Sequence, residues 1–276
     1  MPLLILAVTL LVCLLPLRDV AAAELTLWRL DCGAIQVNDL DLFSDTFHFA
    51  GRQKRLANSC YLLRHDDAWM LWDAGLPENL LGAPLGGQPM SASLDKTIAE
   101  QLRAVGVAPE DIVILGASHN HFDHVGQAAR FTTARLLMGQ ADFAALSAAP
   151  LPFAVDPRPL EAWLRGERPV ETLTGDKDVF EDGSVLMLAV PGHTPGSYAL
   201  LVRLPRTGPV LLSGDAAIFG EQLAGGDVPS FNADRARSVA SMQRLQAIAE
   251  RLGARFVLQH DPDGIGLLPA FPAGAK

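Results

Sequence analysis

The sequence is poor in the residues on which several kinds of protein depend. Only three cysteines occur in 276 residues, too few for a disulfide-rich scaffold, so the fold must rest on a large apolar core. Basic residues are in deficit, with 22 Lys and Arg against 31 Asp and Glu and a net charge of −9. Because nucleic-acid binding normally requires a basic face, we expect no nucleic-acid partner. Hydrophobic residues make up 49% and charged residues 19%, which is typical of a compact globular domain.

The long apolar run of the sequence lies at its beginning, over residues 2–17. Arg18, Asp19 and a series of small residues that ends at Ala23 follow it, a pattern typical of a secretory leader that is cleaved after Ala23. The run is shorter than the ~20 residues that span a bilayer, so we expect no stable membrane anchor after cleavage. The sequence therefore predicts a signal peptide over residues 1–23, a single domain over residues 24–276, and a periplasmic or secreted protein.

Two cysteines, Cys32 and Cys60, would remain after cleavage, in an oxidising compartment. Both lie in strand-like segments near the start of the domain. One interpretation is a disulfide between them, and the other is two separately buried thiols that pack as small apolar groups.

Strand-like and helix-like segments are mixed along the remaining sequence, which predicts an α/β domain. Residues 24–76 have the character of three strands. The apolar spacing of residues 91–105 predicts a helix with Ser91 or Ser93 as its N-cap. A second, longer helix is expected over residues 234–252.

Five of the seven histidines follow predicted strands, and three of them are crowded into the segment HNHFDH. The ligand-type residues at these strand ends are His119, His121, Asp123, His124, His193, Asp215 and His260. Imidazole and carboxylate groups suit zinc, iron or manganese, and the absence of nearby cysteine argues against a thiolate zinc site.

The spacing of these residues favours two metal ions over one. On an extended backbone, residues two apart project the same way, so His119 and His121 can share the first ion, which His193 completes. Asp123, His124 and His260 would then hold the second ion, and Asp215 would bridge the pair with one oxygen each. We expect two divalent ions per chain, Zn²⁺ first, with Fe, Mn and Co as alternatives.

Each of the later residues also has an ordinary structural interpretation. His193 in VPGHTPGS could be a turn residue, Asp215 in LSGDAA could cap a helix, and His260 could be a polar strand end. Two neighbours are rival ligands to His260, namely Asp261 and Asp263. The two histidines without such a setting, which we expect not to be ligands, are His48 and His65.

The complete set of motifs, in chain order, is Asp73 in WDAG, the HNHFDH segment, His193 in PGHTPG, Asp215 in SGDAA and His260 in LQHD. With these motifs the chain resembles the metallo-β-lactamase fold superfamily. The resemblance implies an α/β protein with an αβ/βα four-layer sandwich and with the metals at one edge of two facing sheets. It also implies that Asp73 is not a ligand but orients the metal-binding loop.

Within this superfamily the chain is most similar to the N-acyl homoserine lactonase group, through its ungapped HNHFDH segment, its bridging Asp215 and its QHD ending. The resemblance implies quorum-quenching hydrolysis of lactones by a hydroxide shared between two ions, with Asp123 as the catalytic group that carries a proton. One position departs from that group, because its best-known members carry a tyrosine where this chain has Ile218. We interpret Ile218, Phe219 and Phe231 as an apolar wall for an acyl chain or an aromatic ester, or else as core.

Other activities of the same fold are alternatives. Hydrolysis of an aryl ester or a phosphotriester uses the same hydroxide and needs no tyrosine. A β-lactamase generally lacks a bridging aspartate, a glyoxalase II-type thioesterase would need a helical C-terminal domain, and an iron-dependent sulfur dioxygenase would leave Asp123, His124 and His260 partly unused. A non-catalytic metal-binding module would not require so complete a ligand set. The expected partner is a small lactone or ester, and the sequence specifies no oligomeric state.

Overall fold

The computed structural model describes residues 23–276, so residues 1–22 of the expected signal peptide lie outside the described residues. Two β-sheets face each other in the described chain, and helices cover their outer faces. None of the helices within residues 23–276 combines the length and the apolar character that crossing a bilayer requires.

The first sheet has seven strands in the order β4-β1-β2-β3-β5-β6-β7. These strands are β1 (Leu25–Val37), β2 (Lys54–His65), β3 (Ala68–Trp72), β4 (Met90–Ser93), β5 (Ile112–Gly116), β6 (Arg135–Gly139) and β7 (Val170–Leu173). The strands from β3 through β5 and β6 to β7 pair in parallel, whereas β4, β1, β2 and β3 pair antiparallel.

The second sheet has five strands in the order β12-β11-β10-β9-β8. These strands are β8 (Lys177–Asp178), β9 (Val185–Ala189), β10 (Tyr198–Leu204), β11 (Gly208–Leu212) and β12 (Arg255–Val257). Since β9 and β11 both pair antiparallel with β10, and β12 pairs parallel with β11, three of the five strands end at the same edge.

Helices connect the strands and cover the sheets on the outside. They are α1 (Ile98–Ala104), α2 (Phe122–Val125), α3 (Gln140–Ala145), α4 (Glu161–Leu164), α5 (Gly220–Gly225) and α6 (Arg235–Leu252). The long helix predicted over residues 234–252 is α6, where the Asp234 carboxylate accepts a hydrogen bond from the Arg237 amide and Gly253 ends the helix in a left-handed conformation.

Alternation along the strands separates two apolar layers, as the period of two residues requires. On β10, Leu200 and Val202 enter the core between the two sheets, whereas Ala199 and Leu201 face the layer beneath α6. A third layer lies between the first sheet and helices α1 and α4. The resulting order of helix, sheet, sheet and helix is the αβ/βα sandwich expected from the sequence.

The helix predicted over residues 91–105 begins later than expected, at Ile98. Ser91 and Ser93 are not its caps, because they belong to β4, which pairs with the outer edge of β1. Thr97 caps the helix instead, and its hydroxyl accepts a hydrogen bond from the Glu100 amide while Glu100 bonds back to the Thr97 backbone. The apolar spacing predicts the helix correctly from Ile98 onward, but the residues before Thr97 include an edge strand.

The structure contains a disulfide between Cys32 and Cys60, whose Cα atoms lie 5.8 Å apart. The bond joins β1 to β2 at an irregularity in their pairing between Asp31 and Ala34. Both cysteines are fully buried, in the layer between the first sheet and α1.

Candidate metal centre

The predicted ligands meet at one edge of the sandwich because each follows the carboxyl end of a strand. His119 and His121 lie in the connection from β5 to α2, and α2 itself carries Asp123 and His124. His193 follows β9. The remaining two residues follow neighbouring strands of the second sheet, Asp215 after β11 and His260 after β12. All seven side chains are buried or nearly so.

The first of two clusters, here called the first half-site, consists of His119, His121 and His193. One nitrogen from each imidazole lies within 4.8 Å of the others, and His121 Nδ1 is 3.1 Å from His193 Nε2. Three nitrogens converging at this distance can surround one divalent ion.

The second half-site consists of Asp123, His124 and His260. His124 Nε2 lies 3.2 Å from His260 Nε2. Asp123 Oδ2 lies 3.5 Å from the first of these nitrogens and 3.8 Å from the second. This cluster therefore offers two nitrogens and one carboxylate to a second ion.

Asp215 stands between the two half-sites and turns one oxygen toward each. Its Oδ2 is 3.4 Å from His193 Nε2 and 3.8 Å from His119 Nε2. Its Oδ1 is 3.3 Å from His124 Nε2 and 3.1 Å from His260 Nε2. Asp215 lies in the short turn Gly214–Ala216, and its side chain points into the centre rather than capping a helix.

Two polar atoms at this centre have the environment expected of metal-binding atoms. His119 Nε2 and Asp215 Oδ1 are buried and form no hydrogen bond in the described chain, although Asp215 Oδ1 lies close to two imidazole nitrogens. Buried polar groups without partners are costly, so such atoms normally mark an ion or a catalytic role. The seven side chains therefore fit a pair of divalent ions.

The electrostatics separate neutral from charged imidazoles. Burial and neighbouring imidazoles hold the pKa of His119 and of His121 well below the usual value, which favours the neutral, metal-binding form. Burial also opposes protonation of His124, but Asp215, Asp123 and Asp73 outweigh it and raise the pKa of His124 well above its usual value. Burial alone would raise the pKa of Asp215, yet the surrounding imidazoles, His260 first, hold it well below its usual range.

Hydrogen bonds to Nδ1 aim the Nε2 atom of four imidazoles into the centre. The pairs are His119 with Ser118 Oγ at 3.0 Å, His124 with Asp73 Oδ2 at 2.9 Å, His193 with Asn232 Oδ1 at 2.8 Å and His260 with the Ala57 carbonyl at 2.8 Å. Such partners fix the tautomer and the ring orientation of a ligand. His121 is the exception, since its Nδ1 is the atom that faces the centre.

Asp73 occupies the position that its expected orienting role requires. It is fully buried directly after β3, and its backbone adopts φ +61°. Its Oδ1 accepts a hydrogen bond from the Ser118 amide at 2.7 Å, and its Oδ2 accepts from His124 and from the Gln259 amide group. Asp73 thus joins the residues before His119 to those before His260.

A second buried carboxylate, which the sequence analysis missed, fixes the loop that carries His193. Asp142 on α3 accepts hydrogen bonds from the Thr194 hydroxyl at 2.6 Å and from the Gly196 amide at 2.7 Å. Burial raises the pKa of Asp142 to about 6, against the lowering effect of these two donors. No sequence pattern distinguished Asp142 from the other acidic residues of surface helices.

A mostly apolar cavity opens at the candidate metal ligands. Its wall includes Ile35, Phe43, Met90, Ile218 and Phe231, and its floor contains ligands of both half-sites. Ile218, expected in an apolar wall, is almost fully buried and also packs in a cluster with Phe43 and Phe219, so the wall and the core are continuous there. Both tyrosines of the chain are buried in the core between the sheets.

The other histidines and the rival ligands lie outside the centre. His48 bonds to Asp227 and His65 bonds to Asp182, each through a single ring nitrogen at 2.8 Å. Asp261 accepts hydrogen bonds from the amides of Asp263 and Gly220, so it serves the turn after His260.

Comparison with known proteins gives one matching family. The model described as the metallo-beta-lactamase superfamily matches residues 54–260, which include every residue of both half-sites. An N-acyl homoserine lactonase, AttM, from Azorhizobium caulinodans is 34% identical over 184 residues, 61% of this chain. The chain covers 65% of the length of that relative.

Two solved structures share the fold. An N-acyl homoserine lactone hydrolase with N-hexanoyl-L-homoserine bound at its catalytic metal centre has a TM-score of 0.78 and 22% identity, covering 92% of this chain and 99% of that one. A dizinc quorum-quenching lactonase, AidC, has a TM-score of 0.67 and 17% identity, covering 92% of this chain and 90% of that one.

Proposed function

This chain belongs to the metallo-beta-lactamase superfamily, and we propose that it is a dinuclear metal-dependent hydrolase that opens lactones such as N-acyl homoserine lactones. The observation that carries this proposal is the position of Asp215, whose two oxygens face two separate sets of imidazole nitrogens. The similarity to proteins named as N-acyl homoserine lactonases supports the same reaction class.

We propose two divalent ions, Zn²⁺ first, held by His119, His121 and His193 on one side, by Asp123, His124 and His260 on the other, and by Asp215 between them. The same nitrogen and oxygen donors would accept Fe, Mn or Co. A pair of such ions supplies an activated water near neutral pH and polarises the carbonyl that it attacks.

Asp123 is the residue that we assign to proton transfer. Its Oδ2 lies 3.5 Å from His124 Nε2 within the second half-site, and Asp123 also lines the cavity in which the substrate would lie. A carboxylate at this position can take the proton of the attacking water and return it to the leaving alkoxide.

The residues of the cavity wall support the proposed class of substrate. Phe43, Ile218 and Phe231 offer apolar surface beside the ligands, which favours an ester or lactone with an apolar acyl or aromatic part. The same wall would accept an aryl ester or an aryl phosphotriester, and these are the second candidate substrates.

A substrate panel tests the proposal. The metal-loaded protein is assayed with acyl homoserine lactones of increasing chain length, an aryl ester, paraoxon and a cephalosporin, and oxygen uptake is followed with a persulfide. We expect ring opening of the lactones, two metal ions per chain, and complete loss of turnover in His121→Ala. Full activity with one ion would contradict the dinuclear site, and activity with the cephalosporin or the persulfide alone would contradict the substrate class.

We also propose that the chain acts in the periplasm or outside the cell, after cleavage behind Ala23. The disulfide supports this proposal, because such bonds persist in oxidising compartments. Expression of the full chain in a bacterium, followed by fractionation and intact-mass measurement, should give a periplasmic protein that begins at Glu24. An uncleaved protein in the cytoplasmic fraction would contradict it.

A further inference from the structure

The disulfide lies directly beneath the segment that follows β3, residues 73–76, here called the β3 loop. A Cβ atom placed on Gly75 would stand 2.8 Å from Cys32 Cβ, 2.9 Å from Cys32 Sγ and 3.1 Å from Cys60 Sγ. These distances leave no room for a side chain, and the backbone of Gly75 has φ +60°. The backbone of the β3 loop therefore rests on both halves of the bridge.

The β3 loop in turn supports the segment that carries two ligands of the second half-site. The Ala74 amide donates a hydrogen bond to the His124 carbonyl at 2.6 Å, and the Gly126 amide donates to the Gly75 carbonyl at 2.8 Å. The Gln127 amide donates to the Ala74 carbonyl at 2.9 Å. A Cβ on Gly126 would clash with the backbone of Gly75, Leu76 and Pro77, so these two segments are also in direct contact.

These contacts are continuous from the disulfide, through the β3 loop, to α2, which carries Asp123 and His124. The groups in contact are backbone groups and buried sulfurs, which cannot rearrange as exposed side chains do. Asp73, at the start of the β3 loop, adds its hydrogen bond to His124. The first half-site is less dependent on the β3 loop. His119 is linked to it through the Ser118 amide, which donates to Asp73 Oδ1, but His193 is oriented by Asn232, outside these contacts.

We propose that Cys32 and Cys60 are a positioning pair for the second metal ion, and that their disulfide sets the affinity of that ion much more strongly than the affinity of the first. This inference rests on the dinuclear centre proposed above. It differs from a general stabilising role, because a general loss of stability would weaken both ions alike.

The test is a stepwise Zn²⁺ titration of the full chain against a chromophoric chelator, at a temperature well below unfolding. In the double variant Cys32→Ala/Cys60→Ala, we expect the second ion to bind at least about 10-fold more weakly, with the first ion changed by less than about 3-fold. The matched control is Leu136→Ala, which opens a cavity in the same apolar layer on β6, away from the β3 loop. We expect Leu136→Ala to lower the unfolding temperature while both ions keep their affinity.

A second measurement uses the unaltered sequence. Protein in which Cys32 and Cys60 have been reduced by a dithiol, which is then removed, should bind the second ion weakly, and reoxidation of these two thiols should restore its affinity. The reductant supplies two electrons and two protons to the sulfurs and becomes a cyclic disulfide.

The outcomes separate this inference from the proposed function. Unaltered protein that binds fewer than two ions would overturn both. Unaltered protein that binds two ions, together with a double variant that binds both equally well, would overturn the positioning role alone. Equal weakening of both ions, or the same selective loss in Leu136→Ala, would also overturn it.

Discussion

The two half-sites use similar ligands, yet different kinds of interaction hold them. In the first, the rings of His119 and His193 are oriented by a hydroxyl and an amide, and burial favours neutral imidazoles. In the second, His124 bonds to the buried carboxylate Asp73, and the pKa of His124 and of His260 is raised. The second half-site therefore has two carboxylates of its own, Asp73 and Asp123, beside its imidazoles.

Because of this difference, metal binding at the two half-sites should respond differently to substitution of the supporting residues. Neutral hydrogen bonds are individually modest, whereas bonds between charged partners are stronger and lose more when one partner is removed. We therefore expect changes around the second half-site to affect metal binding more than matched changes around the first. Asp215 is shared by both and should show the largest effect of all.

Replacement of Asp215 should remove both ions together, so that the two half-sites no longer differ in metal binding. In Asp215→Ala, each half-site loses one ligand and the two ions lose their common carboxylate, so turnover should fall by at least about 1,000-fold. Elemental analysis after dialysis should show loss of both ions. Asp263→Ala, which changes an exposed carboxylate in the next turn, should keep both. Two retained ions in Asp215→Ala would contradict the bridging role.

Loss of charge at Asp73 should weaken the second half-site selectively. Asp73→Asn keeps the size of the side chain but removes the charge that faces His124, so the second ion should bind about 10- to 100-fold more weakly. Stepwise titration measures both ions in one experiment. A variant in which the first ion weakens as much as the second would show that the half-sites are not independently supported.

The matched change at the first half-site should have a smaller effect. Asn232→Ala removes the neutral acceptor of His193 Nδ1, and we expect the first ion to bind up to about 10-fold more weakly, with the second unchanged. Asn232→Asp restores an acceptor and adds charge, so it should recover the affinity. Failure of this rescue would show that Asn232 acts by packing instead.

The smallest expected effect is on the stability of the fold rather than on metal binding. It involves Asp142, which fixes the loop that carries His193. Its pKa is raised to about 6 in the folded chain, above the usual value of 3.8, so the folded state holds the proton more tightly than the unfolded state. This contribution to the free energy of unfolding is at most about 3 kcal/mol. It is fully present below about pH 4 and is lost as pH rises through about 6.

Asp142→Asn removes this titration while leaving an acceptor for the Gly196 amide. Urea unfolding at several pH values should show the variant gaining stability relative to the unaltered chain between about pH 4 and pH 7. A difference that does not change over this range would contradict the assignment.

The side chains that meet at the candidate metal centre could be selected from the sequence because each follows an apolar strand and occurs in a motif with a chemical reason for its spacing. Of the supporting residues, the resemblance implied only Asp73, and Asn232 and Asp142 could not be predicted, since their partners are distant in sequence. Asn232 lies 39 residues from His193, and Asp142 lies 52 residues from Thr194. A single polar residue on a surface segment carries no signal of such a contact. The predicted start of α1 was too early for a similar reason, because serines such as Ser91 and Ser93 suit a helix cap as well as an edge strand.

The position of the disulfide also bears on how the protein is made. Cys32 and Cys60 lie on β1 and β2, which pair directly, so the bond requires only the first hairpin of the domain. Every candidate metal ligand comes later in the chain, from residue 119 onward. In the export that we propose, the bridge could therefore close before any candidate ligand has emerged. The compartment that oxidises the cysteines would then form the support of the second half-site before the metal site itself is assembled.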